Sequence, residues 1–556
     1  MTAKTISLLT AAGMTTAMLA AAWRVAPAVQ NAPIGATAWR QMEQLLHEKD
    51  VRRPAPRGIG STTERRAPAP ASTWWGALGT LTPFEATLSA GGPIGTLRTE
   101  GDVTHAANQA RLTYGIAGAG VRVGVLSDSA EAALSLMSVG ALPAGTTIVE
   151  DLKSGRGTSK GTAMMEIVHA IAPGAQLFFA SGLNSPDSFA LNIRVLRFIY
   201  RCDIIVDDVM WSGESPFEQS TIAKAVNEVT ASGAMYFAAA GEKGNLTNRS
   251  SSTWEGDFKS AGEHPLLPGY VLHDFGGAPF NRLTMATTAL DLFWSDPSGK
   301  SNNDYDLFVL NPEGTEVIGS SITVQNGDDD PFEEVFAASQ FPANSRVVIA
   351  ARTGAAPRAL HLSAFFNEPL GVQTAGAVRG HNALPSVVTV AAVAWNSAHG
   401  DASPFIGGTK NPTEVLSADG DRRMFYGSDG TAITPGNLRF ATDGGAVFVK
   451  PDLAAADGVT VRTPGFSPFF GTGAAAAHAA GIAALIKAAR PLLTPWEIRE
   501  AMTSTALDIQ APGVDRDSGH GIVMAPAAIA KALQLRWSIE LTARASDQTH
   551  GSAHTH

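Results

Sequence analysis

Between Val121 and Ala240 the chain alternates short, continuously apolar runs with longer stretches of helical spacing, and this rhythm limits the possible fold more than any other feature. VRVGVLSD, AQLFFAS, CDIIVDDVMW and AMYFAAAG read as strands, and GTAMMEIVHAIA, SFALNIRVLRFIYR and STIAKAVNEVTASG between them read as helices. A strand that is apolar at nearly every position has to be covered on both faces, and a helix after each strand supplies the cover. The expectation is an α/β domain built on a doubly wound parallel sheet.

The rhythm changes near His264. LTMATTALDLFWSD, DYDLFVLN, EVIGSSITVQ, SRVVIAART and ALHLSAFF alternate, with Gly, Pro and Asn at their turns, as the strands of an antiparallel sandwich do. Strand and helix character then return in VRGHNALPSVVTVAAVAW and FFGTGAAAAHAAGIAALIKAARP. The segment TPWEIREAMTSTALDI supplies a closing helix, with Thr494 as its N-cap and Glu497 three residues on. An all-β sandwich insertion, 266–369, therefore interrupts an α/β domain made of 101–265 and 370–535.

Ahead of these, Lys4, the apolar run Ile6–Ala22 and the small residues Ala26-Pro27-Ala28 have the order of a secretory signal, assigned to 1–28. An uncleaved membrane anchor is the competing reading, and the run is at the lower edge of spanning length. Residues 29–100, dense in Pro and Arg over 51–71, read as a linker or a removable pro-segment, and 536–556 as a polar tail. No other stretch reads as a span, so the mature chain is expected to be exported, periplasmic or extracellular, with no membrane span.

Hydrophobic residues make up 44% of the chain and charged residues 17%, which suits a globular protein. A net charge of −10 gives no electrostatic footprint for nucleic acid or an anionic membrane. The single cysteine, Cys202, excludes an intramolecular disulfide and reads as a buried thiol at the entry of an apolar strand.

Several of these stretches, taken together and in order, resemble the subtilase (subtilisin-like serine peptidase) family. They are GVRVGVLSDS, GTAMMEIVHAIAPGA, CDIIVDDV, YFAAAGEKGN, VTVAAV, VKPDLAAADG, GTGAAAAHAAGIAALI and TSTALDI followed by GVDRDSGHGIV. The resemblance is to the exported bacterial branch with an inserted sandwich, related to the sedolisins. It implies acyl transfer by a serine whose proton passes to a base, with an acid orienting that base.

Carried over residue by residue, the resemblance implies that Asp128 is the family's acid, retained. The base position, before the Gly-Thr that opens a helix, holds Lys160 in place of the His usual in the family or the Glu of the sedolisins. The nucleophile position holds Gly473, in Gly471-Thr472-Gly473, and the oxyanion position holds Glu242, in Ala240-Gly241-Glu242. Glycine has no atom with which to attack a carbonyl, and a carboxylate repels the charge that an oxyanion hole should stabilise. A lysine facing Asp128 is held charged and reads as an ion-pair partner more readily than as a base.

The remaining candidates have ordinary readings beside functional ones. His169 is a core or outer-layer histidine or a member of a new catalytic set, and His478 is a helix-packing residue. Asp207 and Asp208 end an apolar strand, where they shape a cleft or hold an ion. Asn302-Asn303-Asp304-Tyr305-Asp306 and Asp328-Asp329-Asp330 supply oxygens that suit calcium but read first as a solvated sandwich edge, so no cofactor is expected. Three functional readings stay open. They are a pseudopeptidase that binds a peptide or protein without cleaving it, an endopeptidase using Asp128, Lys160, His169 and Glu242, and a surface-binding protein that acts through the sandwich.

Overall fold

A computed structural model describes residues 99–153, 157–365 and 368–535, all within one structural unit. The signal assigned to 1–28, the linker or pro-segment up to residue 98 and the tail 536–556 lie outside the described residues.

Two short helices, α1 (Glu100–Thr104) and α2 (Ala107–Tyr114), lead into β1 (Arg122–Ser127). There follow α3 (Ala133–Ser138), β2 (Thr147–Glu150), α4 (Lys160–Ile171), β3 (Gln176–Ser181), α5 (Pro186–Phe198), β4 (Ile204–Asp207), α6 (Thr221–Ala231) and β5 (Met235–Ala239). After the insertion come β15 (Val387–Ala394), β18 (Leu453–Asp457), α7 (Thr472–Ala489) and α8 (Pro495–Thr503). The seven strands of the main sheet are parallel, in the order β18-β15-β5-β4-β1-β3-β2.

The strand order reverses beside β1, so the carboxyl ends of β1 and β4 frame the crevice where sheets of this kind collect ligands. One face of the sheet packs on α4 and α7, through Ala163, Ile167, Ala476 and Ile482 among others, and the opposite face packs on α5 and α6, through Phe189, Ile193, Ile222 and Val226. Both faces are thus buried, as the apolar runs require.

Local signals fix the helix ends. Ser185 caps α5 by accepting from the Ser188 N–H, with Pro186 in its first turn, and Ser220 does the same for α6 through Ala223. Thr494 and Glu497 form the expected capping box on α8. By length and composition α7 does pass for a membrane span, contrary to the expectation that no stretch beyond the N-terminal run would. It is, however, 83% buried within the fold and serves as a core helix. Its small residues let it lie close to α4: a Cβ on Gly481 would be 2.8 Å from Ile171 Cβ.

The insertion is a sandwich of two antiparallel sheets. Its strands are β6 (Thr253–Asp257), β7 (Tyr270–Leu272), β8 (Asn281–Arg282), β9 (Thr287–Trp294), β10 (Tyr305–Leu310), β11 (Val317–Ser321), β12 (Phe332–Phe341), β13 (Arg346–Arg352) and β14 (Ala359–Ala364). One sheet runs β11-β10-β13-β7, with β8 also on β13, and the other runs β12-β9-β14-β6. The sandwich opens at Thr253, ahead of the expected start at 266, because β6 pairs with β14 at its edge and carries too few apolar residues to stand out in TWEGD. A small ribbon of β16 (Arg422–Met424) and β17 (Ala446–Phe448) between β15 and β18 was also absent from the sequence reading.

Buried charges fasten the sandwich to the α/β domain. Arg379 makes a two-pronged pair with Asp291 of β9 at 2.9 and 2.8 Å. Arg422 pairs with Glu255 of β6, whose other partner is His361 of β14. The Lys243 ammonium reaches Ser363 Oγ at 2.8 Å and the Ala364 carbonyl at 2.6 Å.

Candidate active site at the switch point

Asp128 is the first residue past β1. Its Oδ1 accepts the N–H of Ser129 and, at 3.0 Å, that of Lys160, while its Oδ2 accepts the N–H and hydroxyl of Thr158. The carboxylate therefore sits at the N-terminus of α4, where free N–H groups and the helix dipole favour an anion. Ser159, just before Lys160, is held in the left-handed region with φ 65°, and the turn is fixed by Ser159 Oγ accepting from Ala132 and by its N–H donating to Ser129 Oγ.

The Lys160 ammonium lies 2.9 Å from Asp208 Oδ2, so Asp208, and not Asp128 as the sequence suggested, is its ion-pair partner. Burial alone would push this lysine down. The carboxylates of Asp208, Glu242 and Asp128 outweigh burial and hold it above the ordinary lysine range, leaving no lone pair to accept a proton.

Glu242 follows β5 by a short turn. Its Oε1 accepts the Thr472 N–H at 3.0 Å and the Thr472 hydroxyl at 2.9 Å, and the same hydroxyl accepts the Gly241 N–H at 3.0 Å. The N-terminus of α7 is an anion site by geometry, and the protein's own carboxylate fills it. Gly471 has φ 111° and would place a Cβ 2.9 Å from Glu242 Oε1, so this turn requires glycine. Thr472 is fully buried and its hydroxyl is bonded on both sides, which removes it as a nucleophile.

Gly473, the next residue, faces Asp208. Below the same turn Asp457, at the end of β18, accepts the Gly471 N–H at 2.8 Å, while its other oxygen is buried without a hydrogen bond. Burial, reinforced by Glu414 and Glu242, pushes Asp457 up to about 8.

The structure thus gathers Asp128, Lys160, Glu242 and Gly473 at one place. His169 is left out: it lies nine residues along α4 from Lys160, about 13 Å away along the axis. Burial lowers its pKa. His478 is buried against the Ala474 carbonyl at 2.8 Å and beside His105, and burial drives it down to about 3, so it packs as a neutral ring. Cys202 is buried and its thiol is pushed up by burial.

Of the two carboxylates expected to shape a cleft, Asp208 does face it, but its pairing with Lys160 was not foreseen, and Asp207 has another role. Asp207 faces the opposite side of the sheet and, with Glu214, encloses His381 at 3.2 and 2.7 Å. Asp304 and Asp306 approach Arg352 at 3.8 and 3.4 Å, and among the described residues no group of three or more His, Cys, Asp or Glu side chains is arranged to hold a metal.

A parallel sheet with its cleft between β1 and β4, an acid after β1 and a small-residue helix aimed into that cleft define a subtilisin-like fold, here interrupted by a sandwich. The model of the Subtilase family matches residues 280–521. A 70-residue stretch is 36% identical to fervidolysin of Fervidobacterium pennivorans, covering 13% of this chain and 10% of that protein, so the match spans about a tenth of its length. Among solved structures, the CspB protease of Clostridium perfringens aligns with a TM-score of 0.48 and 14% identity, over 77% of this chain and 99% of that one. MycP1 from Mycobacterium smegmatis aligns with a TM-score of 0.34 and 15% identity, over 80% and 87%.

Proposed function

We propose that this chain is an exported pseudopeptidase, a subtilase scaffold that binds a peptide or protein in its former cleft and does not cleave it. One observation carries the reading. The base position holds an ammonium tied to Asp208, the oxyanion position holds a carboxylate seated on the N-terminus of α7, and the nucleophile position holds glycine. Each replacement opposes a separate requirement of acyl transfer: a proton acceptor, a stabilised oxyanion and an attacking atom. An endopeptidase built on Asp128, Lys160, His169 and Glu242 is disfavoured, since His169 lies about two and a half helical turns along α4 from Lys160.

The test is hydrolysis of casein and mixed fluorogenic peptides by the purified protein beside a mock purification, together with capture on an immobilised library of extended peptides. Turnover at the mock level with saturable capture is expected. Turnover above the mock that disappears in Asp128→Ala or Lys160→Ala would defeat the proposal.

A further inference from the structure

We propose that Asp208 occupies the place of the missing nucleophile, so that the cleft is blocked by a resident side chain as well as by the loss of the serine. This rests on the pseudopeptidase reading and adds to it a residue outside the three replaced family positions. A Cβ built on Gly473 would lie 2.8 Å from Asp208 Oδ2, 2.9 Å from its Cβ and 3.3 Å from its Cγ. A free carboxylate could swing aside, but this one is held by Lys160 at 2.9 Å, and the clash with its Cβ does not depend on the rotamer.

Gly473, Asp208 and Lys160 therefore form one unit. The glycine makes room for the aspartate, the aspartate keeps the lysine charged, and the lysine fixes the aspartate over the glycine. Any side chain at 473 has to break that unit. A serine restored there meets Asp208 before it meets a substrate.

Two measurements test this. The first is a thermal-melting cycle on the full chain with Gly473→Ala, Asp208→Gly and the double variant. Gly473→Ala is expected to lower the midpoint by about 1–3 °C in the parent and by less than half as much in the Asp208→Gly background. Equal losses in both backgrounds would overturn the proposal. The second compares labelling by a fluorophosphonate probe in Lys160→His/Glu242→Asn/Gly473→Ser with the same variant carrying Asp208→Gly as well. At least ten-fold stronger labelling of the four-change protein is expected, and equal labelling, strong or absent, counts against the role of Asp208. Neither readout depends on whether the parent cleaves casein, so a failure here is separable from a failure of the functional reading.

Discussion

Asp207 and Asp208 are neighbours at the end of β4, yet they serve two charge clusters of different kinds. Asp207 points into the face covered by α5 and α6, where His381 is held between it and Glu214, all three side chains 5% exposed or less. Burial would lower His381, but Glu214 and Asp207 raise it to about 10. Asp208 points into the cleft and holds Lys160, which keeps 14% exposure. Both clusters follow the rule that buried charges are paired. The difference lies in access: the first is sealed in the core, and the second stands where a substrate would have met the catalytic groups.

The comparison breaks most visibly at His381. His381→Leu leaves Asp207 and Glu214 buried together without a cation and should cost about 3–5 kcal/mol, read from urea unfolding. Asp457 comes next. Its folded pKa stands above that of an unfolded aspartate, so the folded state holds the extra proton between about pH 4 and 8 and loses stability as pH rises through that window. Asp457→Asn should remove this slope, gaining about 2 kcal/mol relative to the parent between pH 6 and 8. A constant difference between the two proteins across that range would mean that Asp457 is ionised throughout.

Lys160→Met should cost less than His381→Leu, about 1–2 kcal/mol, because water can reach the carboxylates of a partly open cleft. A loss as large as that of His381→Leu would show that the cleft is as sealed as the core. The smallest effect belongs to Glu242→Gln, which keeps an acceptor for Thr472 and removes only the charge at the N-terminus of α7. About 0.3–1 kcal/mol, diminished by salt, is expected in thermal melts.

The main strands were legible because a sheet covered on both sides leaves continuous apolar runs, as in Val387–Ala394, where all but the last residue are buried. The four family positions were legible because each lies beside a glycine or at a strand end with a recognisable neighbourhood. Asp208 was not, because which of two adjacent carboxylates faces the cleft depends on the register of β4 between β1 and β5, with Leu126 opposite Asp207 and Asp207 opposite Ala238. His381 was missed for a related reason. Its partners Glu214 and Asp207 lie 167 and 174 residues away, and nothing local in GHNA announces them. The edge strand β6 was missed because an edge needs few apolar residues.

The antiparallel pairing of β6 with β14 places Thr253 opposite Ser363, so the two ends of the sandwich meet. Lys243 reaches Ser363 across 120 residues of chain, and β5 pairs with β15, Tyr236 opposite Val387. While the sandwich is unfolded, the first half of the parallel sheet has to wait for a distant strand across a long, costly loop. Once the sandwich has folded, that loop is already closed and β15 is delivered beside β5. In the native structure the insertion is thereby a splint: it holds β5 and β15 side by side while contributing no strand to their sheet.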